Sequence, residues 1–228
     1  MNNYAFNKIK ESVACHGVMG VAGKLWCKLA TLLYCTSCST WYLRDLQVPV
    51  MPFSPEIDVT IKFLVEDKLN LVRWLAENKG TYPWIYIENE IDVAMENKHI
   101  FLEMTHNEQI IGYIKVGRGR TYIHDFNRIV EFPPGTAFIY DTFTLPEYRG
   151  KSLALHALNS LIAYLKEYKY KQIVCHIEKW NIPSIRTFEK AGFHAFNSIM
   201  FVRIIRFTFF IRDRFVPFIE LDSYLRDI

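Results

Sequence analysis

Leu145-Pro146-Glu147-Tyr148-Arg149-Gly150-Lys151-Ser152-Leu153-Ala154 joins two segments of different periodicity. Upstream, residues 136–145 are rich in apolar and β-branched side chains without proline or glycine, and read as a long strand. Downstream, Leu153, Leu155, Leu158, Leu161, Ile162 and Leu165 recur at helical spacing and predict the buried side of a helix over about 151–168. A strand that enters a helix through a tight glycine-containing turn brings unpaired backbone N–H groups together, and the helix dipole there favours negative charge. Arg149 and Lys151 add positive charge to that geometry. The segment is a candidate anion site on an α/β fold.

Working outward, residues 171–178 alternate as a strand, 181–191 read as a short helix closed by Gly192, and 196–211 hold one or two aromatic-rich strands. Upstream of the turn, 99–105 and 109–117 are apolar-rich runs joined by His106-Asn107-Glu108, a hairpin signal. A further strand is predicted at 120–126, before Pro133-Pro134-Gly135. Another is predicted at 57–63, with helices at 65–78 and 84–97. The prolines at 49, 52 and 55 read as a linker. Residues 5–34 read as helical, with Val18, Val21, Leu25, Leu29, Leu32 and Leu33 on one face and Lys24 and Lys28 on the other. The expected organisation is a helical amphipathic extension at 1–48, the linker at 49–56, one α/β domain at 57–211 and a tail at 212–228. No internal repeat is present.

With 228 residues, half of them hydrophobic, the chain can bury one sizeable core. The formal net charge of +3 is small and collects in residues 1–45, where Lys8, Lys10, Lys24, Lys28 and Arg44 outnumber Glu11 and Asp45. The rest is neutral, so no nucleic-acid partner is expected. The interleaved arginines and phenylalanines of 200–218 are read as strand faces rather than as a stacking surface. Five unevenly spread cysteines point to a reducing, cytoplasmic compartment. Cys35 and Cys38 lack a second ligand pair of matching spacing, so no metal is expected. Lys24 and Lys28 interrupt the apolar run of 12–43 before it could span a bilayer. The helical extension is expected to pack on its own domain or on a second subunit, as in a homodimer; peripheral contact with anionic lipid through 1–45 is the alternative.

The stretch Leu145 to Lys151 resembles the "V-x-P-E-Y-R-G-K-G-x-G" segment of the GNAT superfamily of acyl-CoA-dependent N-acyltransferases. Downstream, Asn181, Ser184, Ile185, Phe188, Glu189, Lys190, Gly192 and Phe193 stand at the spacings of that family's "N-x-x-S-I-x-x-Y-E-K-x-G-F" segment. The resemblance covers 58–207 by pattern and 136–193 by motif. It implies a central mixed, largely antiparallel sheet of about six or seven strands flanked by helices. It also implies transfer of an acyl group, acetyl above all, from CoA to the amine of a small acceptor. Carried over by position, it implies that backbone groups of Phe143 and Leu145 pair with the pantetheine arm. The amides from Gly150 through Lys151, Ser152 and Leu153 to Ala154, with Arg149 beside them, would hold the pyrophosphate. Asn181 would contact the cofactor or orient the second motif. The pattern is similar to GNAT proteins of bacterial surface-polysaccharide pathways, which points to an amino sugar or amino acid acceptor.

Two departures stand out. Ser152 occupies a family glycine, tolerable if the backbone there is simply a helix start. Phe188 replaces a tyrosine that can protonate a departing thiolate, and a phenyl ring cannot donate a proton. For the base, His176 lies five residues before Asn181, where many family members carry a glutamate; an imidazole with an ordinary pKa of ~6.5 suits proton abstraction near neutrality. Asp141 is the second candidate, weighed against a carboxylate simply paired with a nearby cation. A long-chain N-acyl amino acid synthase-like enzyme and a non-catalytic acyl-CoA-binding module are the rival readings.

Overall fold

The computed structural model describes residues 34–49, 53, 55–64, 93–123, 128–204 and 207–212. These fall into two compact units. One spans Ser39–Ser198; the other comprises residues 34–38 and Ile199–Arg212. The strands are β1 (Tyr34–Asp45), β2 (Thr60–Phe63), β3 (Ile100–His106), β4 (Gln109–Arg118), β5 (Arg120–Ile123), β6 (Arg128–Glu131), β7 (Thr136–Thr144), β8 (Gln172–Glu178), β9 (His194–Ile204) and β10 (Phe207–Arg212). Two helices, α1 (Leu153–Glu167) and α2 (Ile182–Lys190), follow β7 and β8. In the smaller unit β10 pairs antiparallel with the end of β9, Phe207↔Ile204 to Arg212↔Ile199.

In the larger unit the strand order is β1-β8-β7-β4-β3-β2. Every pairing is antiparallel except β7 with β8, the mixed, largely antiparallel sheet the motifs imply. The β3–β4 hairpin turns at Asn107 (φ 48°) and Glu108 (φ 65°), a left-handed pair that matches strand twist. Helix α1 packs against β3 and β7. Its Leu153, Ala157, Leu158, Leu161, Ile162 and Leu165 are buried in one core with Ile114, Val116, Ile139, Ile173 and Cys175 from the strands. That helix face is the expected one, with Ala157 inside and Leu155 half-buried.

The expected domain start at 57 is corrected. Residues 34–45, assigned to a helical extension, form a strand, and Ser39–Asp45 pairs with β8 from Ser39↔Glu178 to Asp45↔Gln172. Two causes act together: Thr40-Trp41-Tyr42 favours extended backbone, and the β8 edge needs a hydrogen-bonding partner. Trp41, Tyr42 and Leu46 are buried by this pairing. The strand expected at 120–126 is seen as β5 over Arg120–Ile123, paired with β6, which the sequence reading did not anticipate. Of the helix expected at 84–97, residues 93–96 are helical. The features expected at 1–33, 65–92 and 213–228, which include the helix at 65–78, the amphipathic face and the tail, lie outside the described residues.

Candidate active site

The parallel pair β7–β8 is in register from Thr136↔Gln172 to Ile139↔Cys175 and then stops, although β7 continues to Thr144 and β8 to Glu178. On its far edge β8 stays paired with β1, and β7 stays paired with β4. The sheet therefore splits between two strands that are each supported from outside. The split coincides with a bulge: Lys115 faces Asp141 and Val116 faces Ile139, so Tyr140 is the extra residue in β7. A bulge bends its strand and sharpens the local twist, which carries β7 away from β8.

Beyond the bulge, Leu145 N–H donates to the Ile111 carbonyl of β4, 2.9 Å away. Leu145, Phe143 and Asp141 thus turn their backbone groups toward β4, while Thr142 and Thr144 turn theirs toward the open edge. Arg149 Nε confirms this parity by donating to the Thr144 carbonyl at 3.0 Å. Phe143 and Leu145, expected to present their backbone to a pantetheine arm, turn it toward β4, and the backbone facing the open edge is that of Thr142 and Thr144.

The strand then enters a short 3-10 turn, Pro146–Tyr148, and reaches Gly150 at φ +81° and Ser152 at φ 56°, ψ 21°. Ser152 is left-handed, so the position is no plain helix start, and the family glycine would sit there without the ~1–2 kcal/mol that a side chain costs in this region. No hydroxyl cap closes the helix. Among the described residues, the amides of Gly150, Lys151, Ser152, Leu153 and Ala154 find no acceptor. A Cβ built on Gly150 would meet nothing within 4 Å, so the space beside this glycine is open. Leu153 is buried and anchors the turn to the core. Arg149 lies over the Phe143 ring at 5.8 Å, and Lys151 over Tyr148 at 5.0 Å. Open donors flanked by two cations are what a pyrophosphate requires.

Asn181 caps α2, its Oδ1 accepting the Ser184 N–H at 3.3 Å. Phe188 is buried, edge-to-face with Phe193 at 5.0 Å between ring centroids. His176 is the first β8 residue beyond the split, half-buried, with its ring 5.5 Å from Trp41 and 5.8 Å from Phe138. Asp141 Oδ2 accepts from Tyr113 Oη at 2.9 Å and pairs with Lys115 Nζ at 3.0 Å; the lysine is almost wholly buried. Asp141 is thus a carboxylate held by a cation, the alternative weighed against its role as a base. Lys115 and Tyr113 were not anticipated, because a lone lysine in an apolar strand carries no sign of a partner 26 residues away. Among the described residues no group of three or more metal-ligating side chains gathers, and no helix is long and apolar enough to cross a membrane.

His99, just before β3, is a further buried titratable group. Its Nε2 lies 3.0 Å from the Arg120 carbonyl and its Nδ1 3.3 Å from Tyr140 Oη. Burial pushes its pKa down from 6.5 to about 4; the bond to the Arg120 carbonyl opposes this and the Arg118 charge adds to it. The unfolded chain takes up this proton below pH 6.5 and the folded protein only near pH 4. Stability is therefore lost as pH falls through that window, by about 2–3 kcal/mol at pH 4.5. Urea unfolding at pH 7 and 4.5 should show this loss, and His99→Gln should remove that part of it.

A parallel pair split beside a basic, amide-lined turn defines a class: an α/β fold with an open strand edge leading to an anion-compatible turn. The family model of the acetyltransferase (GNAT) family matches residues 67–193, and the chain belongs to that family. It is 25% identical over 150 residues to the uncharacterized N-acetyltransferase YycN of Bacillus subtilis, covering 65% of this chain and 90% of that one. Among solved structures, it is similar to a putative GNAT-family acetyltransferase from Novosphingobium aromaticivorans (TM-score 0.47, 19% identity, 74% of this chain and 63% of that one). It is also similar to Arabidopsis thaliana Naa50 in complex with a bisubstrate analogue (TM-score 0.44, 17% identity, 60% and 84%). The chain spans less than two thirds of the length of the first of these structures.

Proposed function

We propose that this protein is an acyl-CoA-dependent N-acyltransferase that moves an acetyl group to the primary amine of a small acceptor, such as an amino sugar or amino acid. The observation that carries the reading is the split of β7 from β8 directly above a turn whose amides have no acceptor among the described residues. Gly150 through Ala154, with Arg149 and Lys151, hold the pyrophosphate, and the backbone of Thr142 and Thr144 holds the arm along the open edge. The bound thioester supplies an acyl carbon open to attack by a neutral amine. His176 stands on the strand opposite this edge and takes the proton from the acceptor amine. Phe188 is buried and has no proton to give, so the imidazolium formed at His176 is the group that returns one to the departing sulfur. Asn181 orients the second motif through its cap rather than by chemistry.

Thiol release from acetyl-CoA with glucosamine, lysine and other primary amines tests the reading. The rate is expected to rise with pH through a single ionisation that disappears in His176→Gln, with acetyl-CoA affinity little changed. Full activity with an unaltered pH profile in that variant would remove His176 from the mechanism.

A further inference from the structure

Tyr140 is the extra residue of the β7 bulge and the first residue of β7 beyond its register with β8. Its side chain is tied to His99. The Arg120 carbonyl can only accept, so His99 Nε2 carries the hydrogen, and His99 Nδ1 is left with a lone pair for the Tyr140 hydroxyl. The two rings also meet, at 5.5 Å between centroids and 59° between planes. His99 is 9% exposed, so water competes poorly for this bond.

We infer that His99 is a positioning residue for the acyl end of the cleft: by holding Tyr140, it keeps the bulge in place and the two strands apart before acyl-CoA binds. This rests on the reading of the split as the acyl-CoA cleft. Without the tether, β7 can slip by one residue against β4. Such a slip exchanges the backbone groups that face the open edge and draws Asp141 away from Lys115. A cleft held open in advance avoids the ordering cost that a closed one would incur on binding. The neighbouring Lys115–Asp141 pair lies within the β4–β7 ladder itself, whereas the His99 tether reaches the bulge from outside that ladder.

The test compares two ligands by calorimetry. Acetyl-CoA reaches the bulge; adenosine 3′,5′-bisphosphate, which lacks the pantetheine arm, does not. In Tyr140→Phe and in His99→Leu, acetyl-CoA affinity is expected to fall about three- to ten-fold, the equivalent of one lost hydrogen bond. The double variant should lose no more than either single one. His99→Gln, which can both donate and accept, should restore most of the affinity. Affinity for the bisphosphate should be unchanged throughout. Unaltered acetyl-CoA affinity in Tyr140→Phe, or an equal loss for both ligands, overturns the inference and leaves the cleft reading standing. Failure of the unaltered protein to bind acetyl-CoA overturns both.

Discussion

Asp141→Ala is expected to cost about 3–5 kcal/mol of stability, a large part of what a domain of this size possesses. The cause is the lysine it leaves behind. Lys115 Nζ is 3.0 Å from Asp141 Oδ2 with its side chain 2% exposed, so removing the carboxylate takes a counter-charge from an ammonium that water scarcely reaches. The result should appear as a lower urea midpoint. It would also lower activity for a reason unrelated to chemistry, and would make Asp141 look catalytic. The double replacement Lys115→Met, Asp141→Leu removes both charges and should recover most of the loss. Turnover by the recovered protein would place Asp141 outside the proton transfers; a folded but inactive protein would return it to the list of bases.

Trp41→Ala is expected to be comparably severe, about 3–5 kcal/mol. Trp41 is fully buried, stacks on Phe138 at 5.7 Å and meets His176 at 5.5 Å. Its strand is the outer partner of β8 opposite the split. The same change removes one wall of the His176 environment, so the rate per folded molecule should fall as well. A shift below about 1 kcal/mol in urea unfolding would mean that β1 does not complete this sheet.

The turn at 145–154 was legible because its signals are local: proline and glycine at a strand end, two cations, and an amphipathic helix that starts at once. The bulge was not. Nothing in Thr136–Thr144 marks Tyr140 as extra. Phe143 and Leu145 were carried over from the family motif by position, and only the register with β4 shows that the backbone of Thr142 and Thr144 faces the open edge instead. The strand Tyr34–Asp45 was missed for a different reason. Its partner lies more than a hundred residues downstream, and only the exposed edge of β8 demands it. Lys115 and Asp141 are bound by the same kind of nonlocal register. His176 and Asn181 could be named from the motif spacing, but the aromatic rings around the first and the capping bond of the second belong to the fold.

The central claim is that the open amides at Gly150–Ala154 bind the phosphates of an acyl-CoA. Isothermal titration of acetyl-CoA into the unaltered protein and into Gly150→Ile tests it most directly. The glycine is left-handed and borders open space, so a β-branched side chain strains the turn and projects beside its amides. The account predicts saturable binding in the first case and a loss of at least about ten-fold in the second, more than 1.4 kcal/mol, while circular dichroism shows the fold retained. Equal affinity in the two proteins would contradict it.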